Sequence, residues 1–237
     1  MTITHKIIAF LLGITGLTMA VAILQYDAMA QLKAEYRATQ ALLAEAKGHG
    51  VGQWSETDDL MRDALNGKLA QLDMAQAKAA ITLRILRRGK NERLENGTYQ
   101  VVSTGYAHAH RMADAIVTAA SEERLSYAIF AAVCEQESGY DPHAISKVGA
   151  IGLCQVMPLW VGHCPGIGAE LDLHVPERNA KCGAHVLRTY LDLYNEDIKM
   201  ALLAYNRGPG AVAKDQRMGF PEDNGYPGKV MARTVEF

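Results

Sequence analysis

The sequence lacks a strong net charge of either sign. Its 24 lysines and arginines nearly balance its 26 aspartates and glutamates, which leaves a formal net charge of −2. Proteins that bind nucleic acid usually carry an excess of basic residues, so no nucleic-acid partner is predicted. Internal repeats and low-complexity tracts are also absent, which excludes a repeat architecture. With 237 residues, the chain has the length of one ordinary domain with appendages.

Cysteine is scarce and is confined to the second half of the chain. It occurs only at Cys134, Cys154, Cys164 and Cys182. An even number of cysteines in an exported domain permits disulfides. We expect Cys164, in a loop, to pair with Cys182 on the following helix, and we interpret Cys134 and Cys154 as small buried apolar residues.

A zinc site is the rival interpretation of Cys164 and Cys182. His185 follows Cys182 at a spacing that suits a metal site. However, His163 and Cys164 are adjacent and cannot easily both bind one ion. We therefore predict no metal and no other cofactor.

An uncharged, mostly apolar stretch lies at the N-terminus. Residues 7–24 carry no charge and follow Lys6. A signal peptide would be cleaved at an Ala-x-Ala site that ends at Ala30, whereas a membrane span needs about 20 apolar residues. We favour an uncleaved anchor within residues 1–30. Lys6 lies in the short segment before this anchor, and a positive charge there would place the rest of the chain outside the cytoplasm.

The sequence of residues 31–97 predicts a helical stalk. Apolar residues recur at three- and four-residue spacing on both sides of a glycine-rich break, which is typical of packed helices. The two helices pack against each other as a hairpin or, as we favour, against other copies or partner helices through residues 31–88. A basic cluster ends the second helix; it is interpreted as a solvated face that compensates the helix dipole, with binding to acidic membrane or another subunit as the alternative. This cluster contains Arg84, Arg87, Arg88, Lys90 and Arg93.

The rest of the chain, residues 98–237, contains the strongest candidate for a catalytic group. A helix is predicted to begin after Ser126, which can cap it, and Glu137 ends an apolar stripe on one face of that helix. Desolvation raises the pKa of a carboxyl, and a raised pKa suits a general acid. Glu135 points to another face. The glycine-rich segment 149–155 is typical of backbone that lies close to a flat polar ligand such as a sugar chain.

Four separated blocks of residues stand out in this region. They are Glu137-Ser138 with Ala144, Ser146, Gly149-Ala150, Gly152-Leu153, Gln155 and Met157-Pro158; Pro176 with Asn179; Ala204-Tyr205-Asn206 with Gly208; and Tyr226 with Val230. Together they resemble the signature of the soluble lytic transglycosylases, which belong to the lysozyme-like superfamily. The blocks occur in the family's order and cover residues 106–237, whereas nothing before them matches. The resemblance implies a mainly α fold, with an α+β lysozyme-like catalytic domain over residues 98–237.

The resemblance implies a reaction that uses one carboxyl group. Glycosidases that hydrolyse their substrate usually need two carboxylates about 5–10 Å apart. No good partner for Glu137 is found, since Glu135 lies on another face and Asp141 lies in the turn that is predicted after the helix, from Ser138 to Pro142. By resemblance, Glu137 protonates the bond from N-acetylmuramic acid to N-acetylglucosamine and then takes a proton from the muramoyl C6 hydroxyl, which closes a 1,6-anhydro ring. The implied function is that of a peptidoglycan lytic transglycosylase.

The resemblance also implies which residues bind the glycan strand. Ser146 and Asn206 would hydrogen-bond the N-acetyl groups or orient the catalytic acid. Tyr205 would lie over the site, with its ring against a sugar and its hydroxyl near the acid. Gln155 and Met157 would line the glycan groove.

Two alternative functions stay open. One is a membrane-anchored structural or virion protein whose domain only binds peptidoglycan, although binding alone does not need Glu137. The other is a goose-type lysozyme-like hydrolase, which needs a second acid to activate water. The expected setting is local opening of the murein layer for a secretion or conjugation machine or for a phage. The protein would then be anchored in the bacterial inner membrane facing the periplasm, or carried in a virion and delivered to the cell envelope.

Overall fold

The computed structural model describes residues 56–93, 99–102, 104–219 and 223–234, together with scattered helical positions between 30 and 44. These residues are mainly helical, as the sequence predicts. The predicted anchor at 7–24 lies outside the described residues, and none of the helices that are described has the length and apolar character of a membrane span. The chain divides between Ala79 and Ala80 into two compact units.

In the first unit, helical residues near position 35 lie beside the long helix α1 (Glu56–Arg88). Lys68 of α1 forms an ion pair with Glu35 at 3.5 Å. The buried Thr39 hydroxyl donates to the Glu35 carbonyl oxygen at 2.8 Å. The Lys68–Glu35 contact joins two helical segments of one chain and so favours the hairpin interpretation, while association with other copies stays a prediction.

The second unit begins at Ala80 of α1 and continues through a short hairpin into a set of helices. Strands β1 (Lys90–Arg93) and β2 (Tyr99–Val102) are antiparallel, with Lys90 opposite Val102. Short 3₁₀ turns lie at Pro158–Trp160 and Glu170–His174. The helices that follow the hairpin are α2 (Tyr106–Glu122), α3 (Tyr127–Ser138), α4 (Pro176–Leu193), α5 (Ile198–Arg207), α6 (Pro209–Arg217) and α7 (Tyr226–Thr234).

Helix α3 lies in the core of the second unit, where it packs against α2 and α7. Residues 130–135 are all buried, and each large apolar side chain among them stabilises the fold by about 1.5–3 kcal/mol. The Ser126 hydroxyl caps the helix by accepting the N–H of Ile129 at 3.4 Å. Gly139 ends the helix in the left-handed conformation, with φ of 66°. Glu137 therefore lies in the last turn, where the core meets the surface.

The interpretation of the basic cluster at the end of α1 as a solvated face is wrong for Arg84. The Arg84 side chain is only 11% exposed and forms an ion pair with the carboxylate of Glu135. Arg88 contacts the same carboxylate at 2.9 Å. Because Glu135 lies on α3, the end of α1 packs against the helix that carries Glu137.

Both cysteine pairs form disulfides. Cys164 is joined to Cys182, with Cα atoms 5.2 Å apart, and this is the pairing preferred from the sequence. Cys134 is joined to Cys154, so their interpretation as unpaired apolar residues is wrong. The bonded sulfurs of Cys164 and Cys182 leave no thiolates for the zinc alternative.

Reduction of the two disulfides is expected to lower the melting temperature. The bridged residues are 20 and 18 positions apart, and a closed loop of this length stabilises a fold by about 3 kcal/mol in the chain-entropy model. Removing one disulfide should therefore lower the melting temperature by roughly 10 °C. Thermal unfolding with and without reductant measures the effect. A Cys164→Ala, Cys182→Ala variant should keep part of the sensitivity, and complete loss would show that Cys134 and Cys154 are not bonded in solution.

Candidate active site

Glu137 lies in the last turn of α3 with its side chain partly buried. The hydroxyl of Tyr226, at the start of α7, donates to Glu137 Oε1 at 2.5 Å. Burial raises the pKa of Glu137, and the hydrogen bond from Tyr226 offsets part of that rise because it favours the charged form. A carboxyl in this environment can give up a proton and then accept one near its working pH.

Ser138 and a disulfide tie the end of α3 to the glycine-rich loop. The Ser138 hydroxyl donates to the Leu153 carbonyl oxygen at 2.5 Å. The Cys134–Cys154 disulfide joins the same two segments one turn earlier in the helix. Cys134 and Glu137 are neighbours on the helix surface because they lie three residues apart. The loop is thus cross-linked to the helix directly beside the acid.

The amide of Asn179, fully buried in α4, holds the same loop from the other side. Its Oδ1 accepts the N–H of Cys154 at 2.8 Å. Its Nδ2 donates to the carbonyl oxygens of Ile151 at 2.7 Å and Leu173 at 2.8 Å. The loop passes so close that a Cβ on Gly152 would lie 2.5 Å from Asn179 Nδ2, and Gly152 also has a φ of 77°. Only glycine fits both conditions.

Tyr205, in α5, lies close to the acid but donates its hydroxyl elsewhere. The hydrogen bond goes to the Cys154 carbonyl oxygen at 2.9 Å. Burial, and then the charge of Glu137, raise the pKa of Tyr205 well above its usual value, so the phenol stays neutral. Gly183 of α4 makes room for this contact, since a Cβ there would lie 2.9 Å from Cys154 Cβ and 3.0 Å from the Tyr205 hydroxyl.

Ser146 and Gln155 hydrogen-bond within the glycine-rich loop. The Ser146 hydroxyl accepts the N–H of Ala150 at 2.9 Å. Gln155 takes a φ of 51°, and its Nε2 donates to the carbonyl oxygens of Ala144 at 3.1 Å and Gly152 at 3.0 Å. Both side chains therefore shape the loop, and the Gln155 amide nitrogen is already occupied.

Met157 and Asn206 lie at the edges of this arrangement. Met157 is half-buried directly before the first 3₁₀ turn. Asn206 is exposed, and its Oδ1 accepts a hydrogen bond from Asn224 Nδ2 at 2.8 Å. Asn224 Oδ1 in turn accepts the backbone N–H of Tyr226 at 3.0 Å. Asn206 is thereby linked through Asn224 to the residue that contacts Glu137.

Comparison with known proteins assigns this region to a family. Residues 114–223 match the family described as "Transglycosylase SLT domain". This range contains the acid, the glycine-rich loop, Asn179 and the end of α5. Residues 114–223 are therefore similar to the transglycosylase SLT domain.

Relatives of the SLT domain come from a phage and from bacteria. The chain is 36% identical over 118 residues to a transglycosylase of Enterobacteria phage PRD1, which covers 50% of this chain and 41% of that protein. It is 32% identical over 135 residues to a soluble lytic murein transglycosylase of Escherichia coli (strain K12), covering 48% and 21%. It is 32% identical over 149 residues to the membrane-bound lytic murein transglycosylase C of Haemophilus ducreyi, covering 54% and 41%. The chain thus matches less than half the length of each relative.

Two residues at the site were not among those predicted to act there. Tyr226 lies just beyond the matched SLT range and donates to Glu137. Asn179 lies inside the SLT domain and holds the glycine-rich loop. Both belong to the sequence blocks that carry the family resemblance, and this was the signal that could have identified them.

Proposed function

We propose that the chain is a peptidoglycan lytic transglycosylase. It cleaves the β-1,4 bond from N-acetylmuramic acid to N-acetylglucosamine without water and leaves 1,6-anhydromuramic ends. The observation that carries the proposal is the environment of Glu137, a partly buried carboxyl whose pKa burial raises and whose Oε1 accepts the Tyr226 hydroxyl. The SLT domain and the names of its relatives support murein as the substrate class.

In this reaction Glu137 acts first as an acid and then as a base. Protonated Glu137 gives its proton to the glycosidic oxygen, and the bond from that oxygen to C1 of the muramoyl residue breaks. The substrate's own N-acetyl group stabilises the cation that forms. Ionised Glu137 then accepts the proton of the C6 hydroxyl, whose oxygen bonds to C1 and closes the anhydro ring. Tyr226 stabilises the carboxylate between the two transfers because its hydroxyl donates to the charged form.

The remaining predicted residues are assigned to the glycan strand. Ser146 and Asn206 bind the N-acetyl groups or keep the acid oriented, and Tyr205 presents its ring to a sugar. Gln155 and Met157 line the groove. Support comes from the hydrogen bonds that Ser146, Gln155 and Tyr205 make with the glycine-rich loop. The Cys134–Cys154 disulfide joins that loop to the helix that carries Glu137.

For the rest of the chain, we propose the arrangement that the sequence predicts. Residues 1–30 anchor the protein in the bacterial inner membrane, residues 31–97 form a stalk, and residues 98–237 form the catalytic domain. The end of α1 from Ala80 onward belongs to the same compact unit as that domain. The domain then faces the periplasm or, in a virion, reaches the envelope at infection. A phage relative and a membrane-bound relative support an envelope or phage setting. In that setting the protein would open murein locally for a phage or for a secretion or conjugation machine.

Mass analysis of digested murein tests the proposed function. Purified murein treated with the protein should release fragments with anhydro ends, which are lighter than reducing ends by one water. Mainly reducing ends would assign the protein to the goose-type hydrolases instead. Binding to murein without release of fragments would favour the structural or virion role.

A further inference from the structure

Glu135, two residues before the acid, is a buried carboxylate with several partners. It is 7% exposed. Its oxygens accept hydrogen bonds from Arg84 Nε and, at 2.9 Å, from Arg88 Nη1, both at the end of α1. The hydroxyl of Tyr140 donates to Oε2 at 3.3 Å, and Arg233 Nε of α7 lies 3.9 Å from Oε1. Glu135 therefore connects α1, α3, α7 and the turn after α3.

Helix α7 contacts both carboxyl groups of α3. Tyr226, in its first turn, donates to Glu137, and Arg233, seven residues later, lies beside Glu135. Seven residues correspond to about two helical turns, or roughly 10 Å along the axis. Helix α7 thus contacts α3 at two points, through a hydrogen bond at Glu137 and a longer ion pair at Glu135. The contact at Glu135 therefore influences where the Tyr226 hydroxyl lies relative to the Glu137 carboxyl.

The turn directly after the acid depends on the same network. Gly139 lies so close to Arg88 that a Cβ there would be 2.8 Å from Arg88 Nη2. Tyr140 follows with a φ of 68°, which is unfavourable for a residue with a side chain and persists only where the surroundings hold it. Its ring is buried, and its hydroxyl reaches Glu135.

We propose that Glu135 is a positioning residue for the reaction: by binding Arg84, Arg88 and Tyr140 beside α7, it holds the end of α3 and the Tyr226 hydroxyl in register with Glu137. This inference rests on the proposed function for its kinetic part. A brace that served stability alone would not need charges, since apolar replacements of buried ion pairs are often neutral or stabilising. The directional contacts of a carboxylate fix orientation in a way that apolar packing does not.

A charge-neutral double variant, Glu135→Gln with Arg84→Met, tests the proposal. Loss of the ion pair should loosen the Tyr226 contact and raise the pKa of Glu137, because that hydrogen bond holds the pKa down. We expect kcat on murein fragments to fall about tenfold or more with KM changed less than about twofold, and the alkaline limb of the pH profile to move upward. The matched control is Arg111→Met with Glu177→Gln, which removes an exposed ion pair between α2 and α4 and should change neither kcat nor the profile.

A titration of the Glu137 carboxyl by carbon NMR gives a readout that does not need activity. Its signal is assigned by comparison with Glu137→Gln. A higher pKa in the Glu135/Arg84 variant supports the proposal even if the wild type proves inactive on murein, which would contradict only the proposed function. An unchanged pKa of Glu137 in the folded variant would overturn the proposal that Glu135 positions the acid. If that variant does not fold, Arg233→Met, at a side chain that is 30% exposed, is measured in the same way with the same two outcomes.

Discussion

Glu137→Gln is expected to lower the rate of murein cleavage about a thousandfold, within the range that positioned acid–base groups contribute. Glutamine keeps the shape of the side chain and can still accept the Tyr226 hydroxyl, but it cannot donate a proton to the glycosidic oxygen. Both proton transfers of the proposed reaction fail together. Release of soluble fragments from purified murein measures the loss.

Folding of the Glu137→Gln variant provides the first control. Burial raises the pKa of Glu137 in the folded state, so ionised Glu137 costs stability, and this cost appears as pH rises from the unfolded pKa through the folded pKa. The variant should therefore melt at the same temperature as the wild type at acid pH and somewhat higher at neutral pH. Glu122→Gln, at an exposed residue paired with Lys181, should retain full activity. Equal losses in both variants would contradict the assignment of Glu137 as the acid.

Tyr226→Phe is expected to give the second-largest effect, a loss of roughly tenfold or more in kcat with a shift in pH dependence. A hydrogen bond to a charged group contributes about 1.5–3 kcal/mol, and about 1.4 kcal/mol corresponds to one pKa unit. Without the hydroxyl, the carboxylate of Glu137 is less stable and its pKa rises further. The acid then stays protonated to higher pH, so the alkaline limb of the rate profile should move upward by about one pH unit.

The pH profile separates this role from a general loss of packing. Phenylalanine keeps the ring of Tyr226 in the core and removes only the donor that contacts Glu137. Tyr106→Phe, at an exposed tyrosine of α2, is the matched control and should leave rate and profile unchanged. A Tyr226→Phe profile that superimposes on that of the wild type would show that the hydroxyl does not act on Glu137.

The sequence predicted local features well because they depend on nearby residues. Ser126 caps α3 and Gly139 ends it, so the place of Glu137 at the end of a buried helix follows from spacing alone. The partners of Glu137 could not be derived in this way. Tyr226 reaches it from 89 residues away, and only the packing of α7 on α3 brings the two together.

The partners of Glu135 were likewise beyond what the sequence could predict. Helical spacing correctly separates it from the face of Glu137, but spacing does not tell whether that second face meets solvent or protein. Arg84, which binds it, lies 51 residues earlier in a helix that the sequence assigned to a stalk. Only the fold brings the Glu135 carboxylate to Arg84, so the interpretation of Arg84 as part of a solvated face is wrong.

Murein digestion in heavy-oxygen water tests the central claim most directly. In the proposed reaction the C6 hydroxyl of the substrate replaces water, so the new muramic ends should carry no heavy oxygen and should all be anhydro ends. A hydrolase on the same fold would place one heavy oxygen on each new reducing end. Incorporation of heavy oxygen in most products would contradict the account of Glu137 as a single acid and base.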